Sequence, residues 1–536
     1  MDKCYQIIDQ FPLPVNNNYF YVISASLSHI QNFIYDAPSK GALKSLRGKS
    51  FYLTLLSHAI CDTILNRLNL QRDSVLYNSG GACCIVAPYS PTIENNTAEC
   101  AKHIKNAISR DLGYDGADIC GVKASGEELE NNCAEIFAKL FAKKHRTKFS
   151  PYQGEENYDY LFNPQPPKQY KSFEQIGTKL CDTTAILISR EELQFADSLH
   201  IDMSSLGVHF FMGNATELAT VKSEGAYLLL VNDTPIPDGC IVQTYREFIA
   251  GNGTRANSFS DLFSDNDSSH QRLAVLRMDV DNLGLLLQSI MRKKNALSEY
   301  ASMSHKLDAF FKGQINQIWT SNYSETTVII YAGGDDLFIV GEWEQTLNFM
   351  REIYTQFKVA FADDKMGISG GISLISPKYP IIRAAELSAI EEQSAKNFDY
   401  AGQQKNCISI FGIPLRWECE LDMVMRYKTR LFGLIQKGEI DKSFVQHILR
   451  INENVRFESG KIVPIRYIWI AAYDLSRLMK RNNTNTEGNR FIKQCVQDIM
   501  SGRTLAGVPI HSPYHSLQLI VIAARFVQML LWKTNK

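Results

Sequence analysis

The sequence predicts an α+β chain made of two copies of a strand–helix–hairpin unit, a middle α/β domain and a C-terminal helical bundle. Three observations predict it. Apolar strands end at Ser26 and at Asp279, a Gly-Gly hairpin follows each at the same distance, and beyond about residue 413 only helical periodicity remains. At 536 residues the chain is too long for a single core, so three or four domains are expected. With 45% hydrophobic and 21% charged residues, the composition is that of a soluble globular protein. A formal net charge of −1 argues against a free nucleic-acid binder, which is basic overall. Any RNA contact has to use local patches or partner subunits.

In chain order, residues 19–26 form a buried strand, and Leu43–Leu68 carries apolar residues at helical spacing. Residues 74–88 form a hairpin turning at Gly80-Gly81, 93–112 a helix, and Cys120–Ala124 a further strand. The stretch 143–175 is rich in Lys, Pro, Tyr, Gln and Asn without periodicity and marks a boundary. Short strands such as Ala226–Val231 alternate with turns over 176–248, and the polar run 257–270 reads as a linker. The first pattern then returns: a strand at Leu273–Met278, a helix at Tyr300–Trp319, a hairpin at Thr327–Val340 around Gly333-Gly334, a helix at Gln345–Phe361 and a strand at Gly367–Ser376. The resulting domains are 1–150, 151–265, 266–412 and 413–536.

Twelve cysteines include no Cys-x-x-Cys pair, so reduced thiols in the cytoplasm are expected. The N-terminus lacks the basic and apolar regions of a signal peptide. The run Leu517–Trp532 is interrupted by Gln518, Arg525 and Gln528 and is expected to be a buried helix, with no membrane contact.

The duplication locates the chemistry. Asp279 stands 54 residues before Gly333, and Ser26 stands 54 before Gly80. Two equally spaced units suggest ferredoxin-like palm domains, the fold of nucleotidyl cyclases, facing each other about a pseudo-twofold axis. The second copy reads Asp279-Val-Asp-Asn-Leu-Gly284 and Tyr331-Ala-Gly-Gly-Asp-Asp-Leu337. The first reads Ser26-Leu-Ser-His-Ile-Gln31 and Asn78-Ser-Gly-Gly-Ala-Cys-Cys84, with the motif acids gone. One half is therefore expected to hold metals and the other a nucleotide.

Attack of a 3′-hydroxyl on an α-phosphate requires a deprotonated oxygen and neutralised phosphate charge. Two hard divalent cations, Mg²⁺ or Mn²⁺, supply both and prefer carboxylate ligands. Asp279, Asp335 and Asp336 are the candidate catalytic acids, and with Val280 they are the candidate metal ligands. Gly333 and Gly334 leave room for a nucleotide. Asn282, Leu283 and Gly284 open a helix whose N–H groups suit a triphosphate. Lys396, in Glu391-Glu-Gln-Ser-Ala-Lys396, is a candidate phosphate ligand. Asp281 reads as pointing away from Asp279, a candidate helix cap. Two basic runs, Lys40–Lys44–Arg47 and Lys143-Lys-His-Arg146 with Lys148, offer RNA or subunit contacts or a solvated surface.

Taken together, these residues resemble the large subunit of type III CRISPR effector complexes, most closely the Csm-type CRISPR polymerase and cyclic oligoadenylate synthase. The resemblance covers nearly the whole chain. It is carried by Ser39-Lys-Gly-Ala-Leu-Lys-Ser-Leu-Arg-Gly-Lys-Ser-Phe-Tyr-Leu53, Arg277–Gly284, Ala332-Gly-Gly-Asp-Asp-Leu337, Ile368-Ser-Gly-Gly-Ile-Ser373 and Tyr379–Glu386 with Lys396. It implies conversion of ATP to cyclic oligoadenylates when target RNA binds, in a complex with CRISPR RNA, a guide 5′-end-binding subunit, a small-subunit filament and backbone subunits. It implies that Ser369 approaches a base, that Gly80 and Gly81 belong to the half holding the other ATP, and that 413–536 contacts the filament. Departures are also plain. No His-Asp dipeptide occurs, so the usual N-terminal nuclease domain and its DNase activity are not expected. The zinc-ribbon cysteines are missing, with only Cys181 nearby, and His29 replaces a glycine beside the expected nucleotide. The competing readings are a stand-alone diguanylate-cyclase-like enzyme, which would carry Glu rather than Asp336 and form a homodimer, and an inactive scaffold, for which clustered acids serve no purpose.

Overall fold

The computed structural model describes residues 19–534 except 39, 111, 113, 115, 149–169, 264–270, 295, 363–365, 459–460, 464–465 and 480–485. Most of the boundary expected at 143–175, half of the linker expected at 257–270 and the N-terminal residues read for a signal peptide therefore lie outside the described residues.

The first unit is built on β1 (Tyr19–Leu27), whose residues are buried from Tyr21 onward. With β2 (Val75–Ser79), β3 (Ala82–Pro88) and β4 (Ala117–Ser125) it forms an antiparallel sheet of order β2-β3-β1-β4. The helices Ala42–Arg67 and Ile93–Arg110 are the two crossovers, which completes a ferredoxin-like βαββαβ unit. The middle sheet contains β5 (Ala185–Ser189), β6 (Leu199–Met203), β7 (Val208–Gly213), β8 (Tyr227–Val231) and β9 (Gln243–Glu247) in the order β6-β7-β5-β8-β9. Only β8 and β9 run parallel, so the expected α/β character is confined to that pair.

The second unit repeats the first with β10 (Leu273–Asp281), β11 (Thr327–Gly333), β12 (Asp336–Glu342) and β13 (Gly367–Ile375) in the order β11-β12-β10-β13. After a short hairpin of β14 (Asp399–Tyr400) and β15 (Gln403–Gln404), β16 (Cys407–Ile410) and β17 (Ile413–Arg416) extend this sheet beyond β13. The reading of helices alone from residue 413 is thus corrected. Ile413–Arg416 is a strand, and Arg456–Glu458 pairs with Lys461–Val463 as a small hairpin. These strands are too short for alternation to stand out against flanking helices. The C-terminal helix Ser516–Thr534 is long and apolar enough to cross a membrane by composition despite Gln518, Arg525 and Gln528, but 72% of its apolar window is buried in the fold, as expected of a buried helix. Leu519, Val527 and Phe526 join the core that also holds Trp343 and Phe349 of the second unit.

The two copies match closely in backbone. His29 and Asn282, each directly before a helix, both adopt left-handed φ values of 63° and 59°. Both edge strands carry a bulge at the same place, at Leu76 and at Ile330. The hairpins differ by one residue from the register that equal spacing suggested. Ser26 pairs with Ala82, whereas Asp279 pairs with Asp336. Gly80 therefore corresponds to Gly334, and a Cβ on Gly80 would lie 3.4 Å from the Gly334 Cα, so the two turns face each other directly.

Arg47 and Lys49 show why the Lys40–Leu53 stretch is so distinctive. Arg47 is buried and donates to the carbonyls of Gly177, Thr254 and Gly251 at 3.3, 3.2 and 3.2 Å, tying the first unit to the middle one. This corrects its reading as part of a basic contact surface; a buried arginine is stable here because its donors meet carbonyls. Between them, Gly48 lets the helix Ala42–Arg67 touch the helix Tyr170–Lys179, since a Cβ would lie 1.8 Å from the Phe173 carbonyl oxygen. Gly48→Ala is expected to lower stability by about 1–3 kcal/mol through overpacking, read as a lower midpoint in chemical denaturation, while Gly433→Ala, with open space around its Cβ position, causes no such loss.

Candidate active site

The acidic residues converge because of strand register. Asp279, near the end of β10, is paired with Asp336, the first residue of β12. Asp335 occupies the two-residue turn with Gly334, whose φ of 65° suits glycine and sets the hairpin. The Val280 N–H donates to the Asp335 carbonyl at 3.2 Å and fixes the turn against the strand. Val280 has a buried apolar side chain, so only its carbonyl is chemically suited to a metal.

Positive charge balances one side of this cluster. Lys396 Nζ lies 2.6 Å from Asp279 Oδ2 and 3.0 Å from Glu392 Oε1, and Arg277 Nε lies 3.1 Å from Glu392 Oε2. Glu392 and Arg277 were not singled out from sequence. The signal for Glu392 is its place four residues before Lys396 on one helix face. The helix Ile381–Lys396 reaches the acids because β13 is bare at Gly371, where a Cβ would lie 2.0 Å from the Glu392 nitrogen. The Gly-Gly in Ile368-Ser-Gly-Gly-Ile-Ser373 is thus a packing requirement.

Burial, then the charge of Asp279, pushes the Asp335 carboxyl up to about 6. Burial, then the charges of Asp279 and Asp335, pushes Asp336 up to about 8, and Asp336 hydrogen-bonds Asp279. Burial and both acids also raise the Tyr331 phenol above its usual range. Carboxylates crowded closely enough to share a proton form a donor set that a hard divalent cation satisfies, so Asp279, Asp335, Asp336 and the Val280 carbonyl fit such an ion.

A cavity of about 410 Å³ opens between the two units. Gly80, Gly333, Gly334, Asp335 and Asp336 line it, as do His29 and Arg277. Gly81 instead borders a smaller adjoining cavity with His58 and Lys312. Asn282, Leu283 and Gly284 lie at the start of the helix Leu283–Met291, outside the cavity wall. The Asn282 side chain makes no capping bond and accepts instead from Lys405 Nζ at 2.7 Å, while the space around Gly284 is open.

Two expectations are corrected. Asp281 neither points away from Asp279 nor caps a helix. The strand runs to residue 281, and residues two apart share a face. Its Oδ2 accepts from Ser369 Oγ at 2.7 Å and from the Asn406 N–H at 2.9 Å. Ser369 is fully buried and its hydroxyl is committed to Asp281, so it does not reach the cavity wall and is not presented to a base. In the first unit the place of Ser369 is taken by an acid: Asp118 on β4 pairs with Ser26, as Ser369 pairs with Asp279, and is buried.

Two facing ferredoxin-like units, one carrying an acidic hairpin tip beside a cavity, define a paired-palm protein. Comparison with known proteins agrees: the family model of the Cas10/Cmr2 second palm domain matches residues 272–409, and that of Csm1 subunit domain B matches residues 19–167. Both palm units are thus similar to those of Cas10/Csm1 proteins. It is 26% identical over 506 residues to the Streptococcus thermophilus "CRISPR system single-strand-specific deoxyribonuclease Cas10/Csm1 (subtype III-A)", covering 86% of this chain and 62% of that protein. The chain thus spans about three fifths of the length of that relative. Its fold is similar to that in the crystal structure of a Csm1-Csm4 cassette in complex with cA4, with a TM-score of 0.67 and 19% identity, covering 95% of this chain and 69% of the other. A Csm1-Csm4 cassette in complex with one ATP gives a TM-score of 0.65 and 20% identity, covering 94% and 70%.

The raised carboxyls set a pH dependence for the chelated protein. With folded values of about 6 and about 8 against an ordinary 3.8, Asp335 and Asp336 hold more protons folded than unfolded. Their contribution to stability is greatest below the ordinary value and falls as pH rises through the folded values. Thermal melts in chelator should show the midpoint dropping from pH 6 to pH 8, with Asp336→Asn flattening the drop.

Proposed function

We propose that this chain is a nucleotidyltransferase that joins ATP molecules into cyclic oligoadenylates. In this reading it works within a type III CRISPR complex of guide RNA, target RNA and further effector subunits in the cytoplasm. The observation that carries the reading is the meeting of Asp279 with the Asp335–Asp336 turn beside a cavity whose opposite wall comes from the first unit. The ATP and cA4 held by the similar Csm1-Csm4 cassettes support the choice of substrate and product.

In this mechanism Asp279, Asp335, Asp336 and the Val280 carbonyl are the groups that would hold Mg²⁺ or Mn²⁺. The bound cations would lower the charge on the phosphates and activate the attacking hydroxyl. The chain's own residues do the positioning. Gly333 and Gly334 keep the turn narrow where a nucleotide passes, and Gly80 does the same from the facing hairpin. Leu283 and Gly284 offer N–H groups at a helix start to the triphosphate. Lys396, already paired with Asp279, is placed to exchange that partner for a phosphate oxygen. Glu392 and Arg277 hold the Lys396 side chain in reach. His29 takes its place in the cavity wall from the first unit, where the second ATP is expected.

Replacing Asp335 and Asp336 together by Ala should cut oligoadenylate formation by roughly a thousandfold, the scale of the several kcal/mol such ions contribute. Assembly with partner subunits should be unchanged. The measurement is mass spectrometry of products from the assembled complex with ATP, Mg²⁺ and target RNA. Unchanged product would remove this site from the reaction, and product from GTP in place of ATP would favour a diguanylate-cyclase-like enzyme.

A further inference from the structure

The middle unit holds a second constellation of ligand atoms, independent of the acidic turn. His200 and Asp202 are two residues apart on β6 and so share one face. His209 on β7 pairs directly with Asp202, which brings it to the same face. His200 Nε2 lies 3.2 Å from His209 Nδ1, and His209 Nδ1 lies 3.4 Å from Asp202 Oδ1. One ligand atom from each of the three lies within 4.8 Å of the others.

The 3.2 and 3.4 Å separations are those of neighbouring corners around a small cation. Tetrahedral ligands at about 2.0–2.1 Å from a zinc ion stand about 3.3–3.4 Å from one another. The surroundings hold the ligands in place. The Phe211 ring stacks on His200 at 4.7 Å with an interplanar angle of 10°, and the Ser204 N–H donates to Asp202 Oδ1 at 2.8 Å. Such outer contacts orient metal ligands. His209 is buried, while the Asp202 side chain is 61% exposed at the edge strand, which leaves a path for an ion and a water-filled fourth position. The geometry points to a site for a borderline divalent cation, Zn²⁺ above all, held by His200, Asp202 and His209. Two imidazoles exclude Mg²⁺, which demands oxygen ligands. The ion would pin edge strand β6 to β7. The same hairpin docks on the first unit, where Thr63 Oγ1 donates to the Leu206 carbonyl at 2.9 Å, so the ion would also brace the contact between the two units.

The test uses the full chain with Asp279, Asp335 and Asp336 all changed to Asn, which removes the other carboxylate site. After chelation and dialysis against Zn²⁺ with excess Mg²⁺, elemental analysis should find one zinc per chain, and zinc should raise the melting midpoint. His200→Ala and Asp202→Ala should each weaken zinc binding by at least about 100-fold, since loss of outer-shell partners alone costs 10–100-fold. Circular dichroism checks folding, and the exposed Asp202→Ala decides the matter if His200→Ala does not fold. No bound zinc, or zinc held equally well by Asp202→Ala, would overturn the assignment and leave an internal hydrogen-bonded triangle only.

Discussion

Mutual repulsion among carboxylates is the constraint on which the second unit is organised. Asp279, Asp335, Asp336 and Glu392 sit within one electrostatic neighbourhood, and two cations, Lys396 and Arg277, answer only part of their charge. Such an excess persists only where a rigid frame enforces it. Here the frame is the central strand pair β10–β12, the bond from Val280 to the Asp335 carbonyl, and a helix seated directly on a glycine-bare stretch of β13. Each of these fixes main chain, which repulsion between side chains cannot move cheaply.

A second charged junction holds the units in place behind the site. Glu247, at the end of β9, lies 3.2 Å from Lys312 and 3.4 Å from His58, so all three units meet at one nearly buried carboxylate. Burial alone would raise Glu247, but Lys312 and His58 outweigh it and hold the carboxyl at about 2. Lys312 belongs to a π-helical turn, Ala309–Gln314, and also bonds Asp308 at 3.1 Å, while Asp308 accepts from Ser79 of the facing hairpin at 2.5 Å. The position of the Gly80 turn against the Gly334 turn is thereby linked to the middle unit through a short chain of charged bonds.

Much of this was legible in the sequence because strand ends and glycine turns leave local signatures. The carboxylate trio, the two hairpins and their facing arrangement followed from apolar runs, Gly-Gly pairs and equal spacing. What stayed hidden depends on partners far away in the chain. Arg47 reads as one more surface cation until the carbonyls of Gly251 and Thr254 arrive from some 200 residues away. Ser369 reads as a residue near a base and Asp281 as a helix cap, although register makes them bond each other. The extra residue before the second hairpin is invisible to a spacing count, because the Gly-Gly pairs coincide while the turns do not. His200 and His209 lie on two strands whose pairing alone unites them.

The matching bulges at Leu76 and Ile330 have a historical meaning. A bulge is a specific insertion in a strand edge, and two at equivalent places mark one ancestral module copied after that kink was fixed. Such a module must first have met its own twin, with both partners equally equipped. Fusion of two such modules into one polypeptide leaves them free to differ: the motif acids stand on the second alone, and the buried Asp118 of the first faces Ser26 from the place that Ser369 holds in the second.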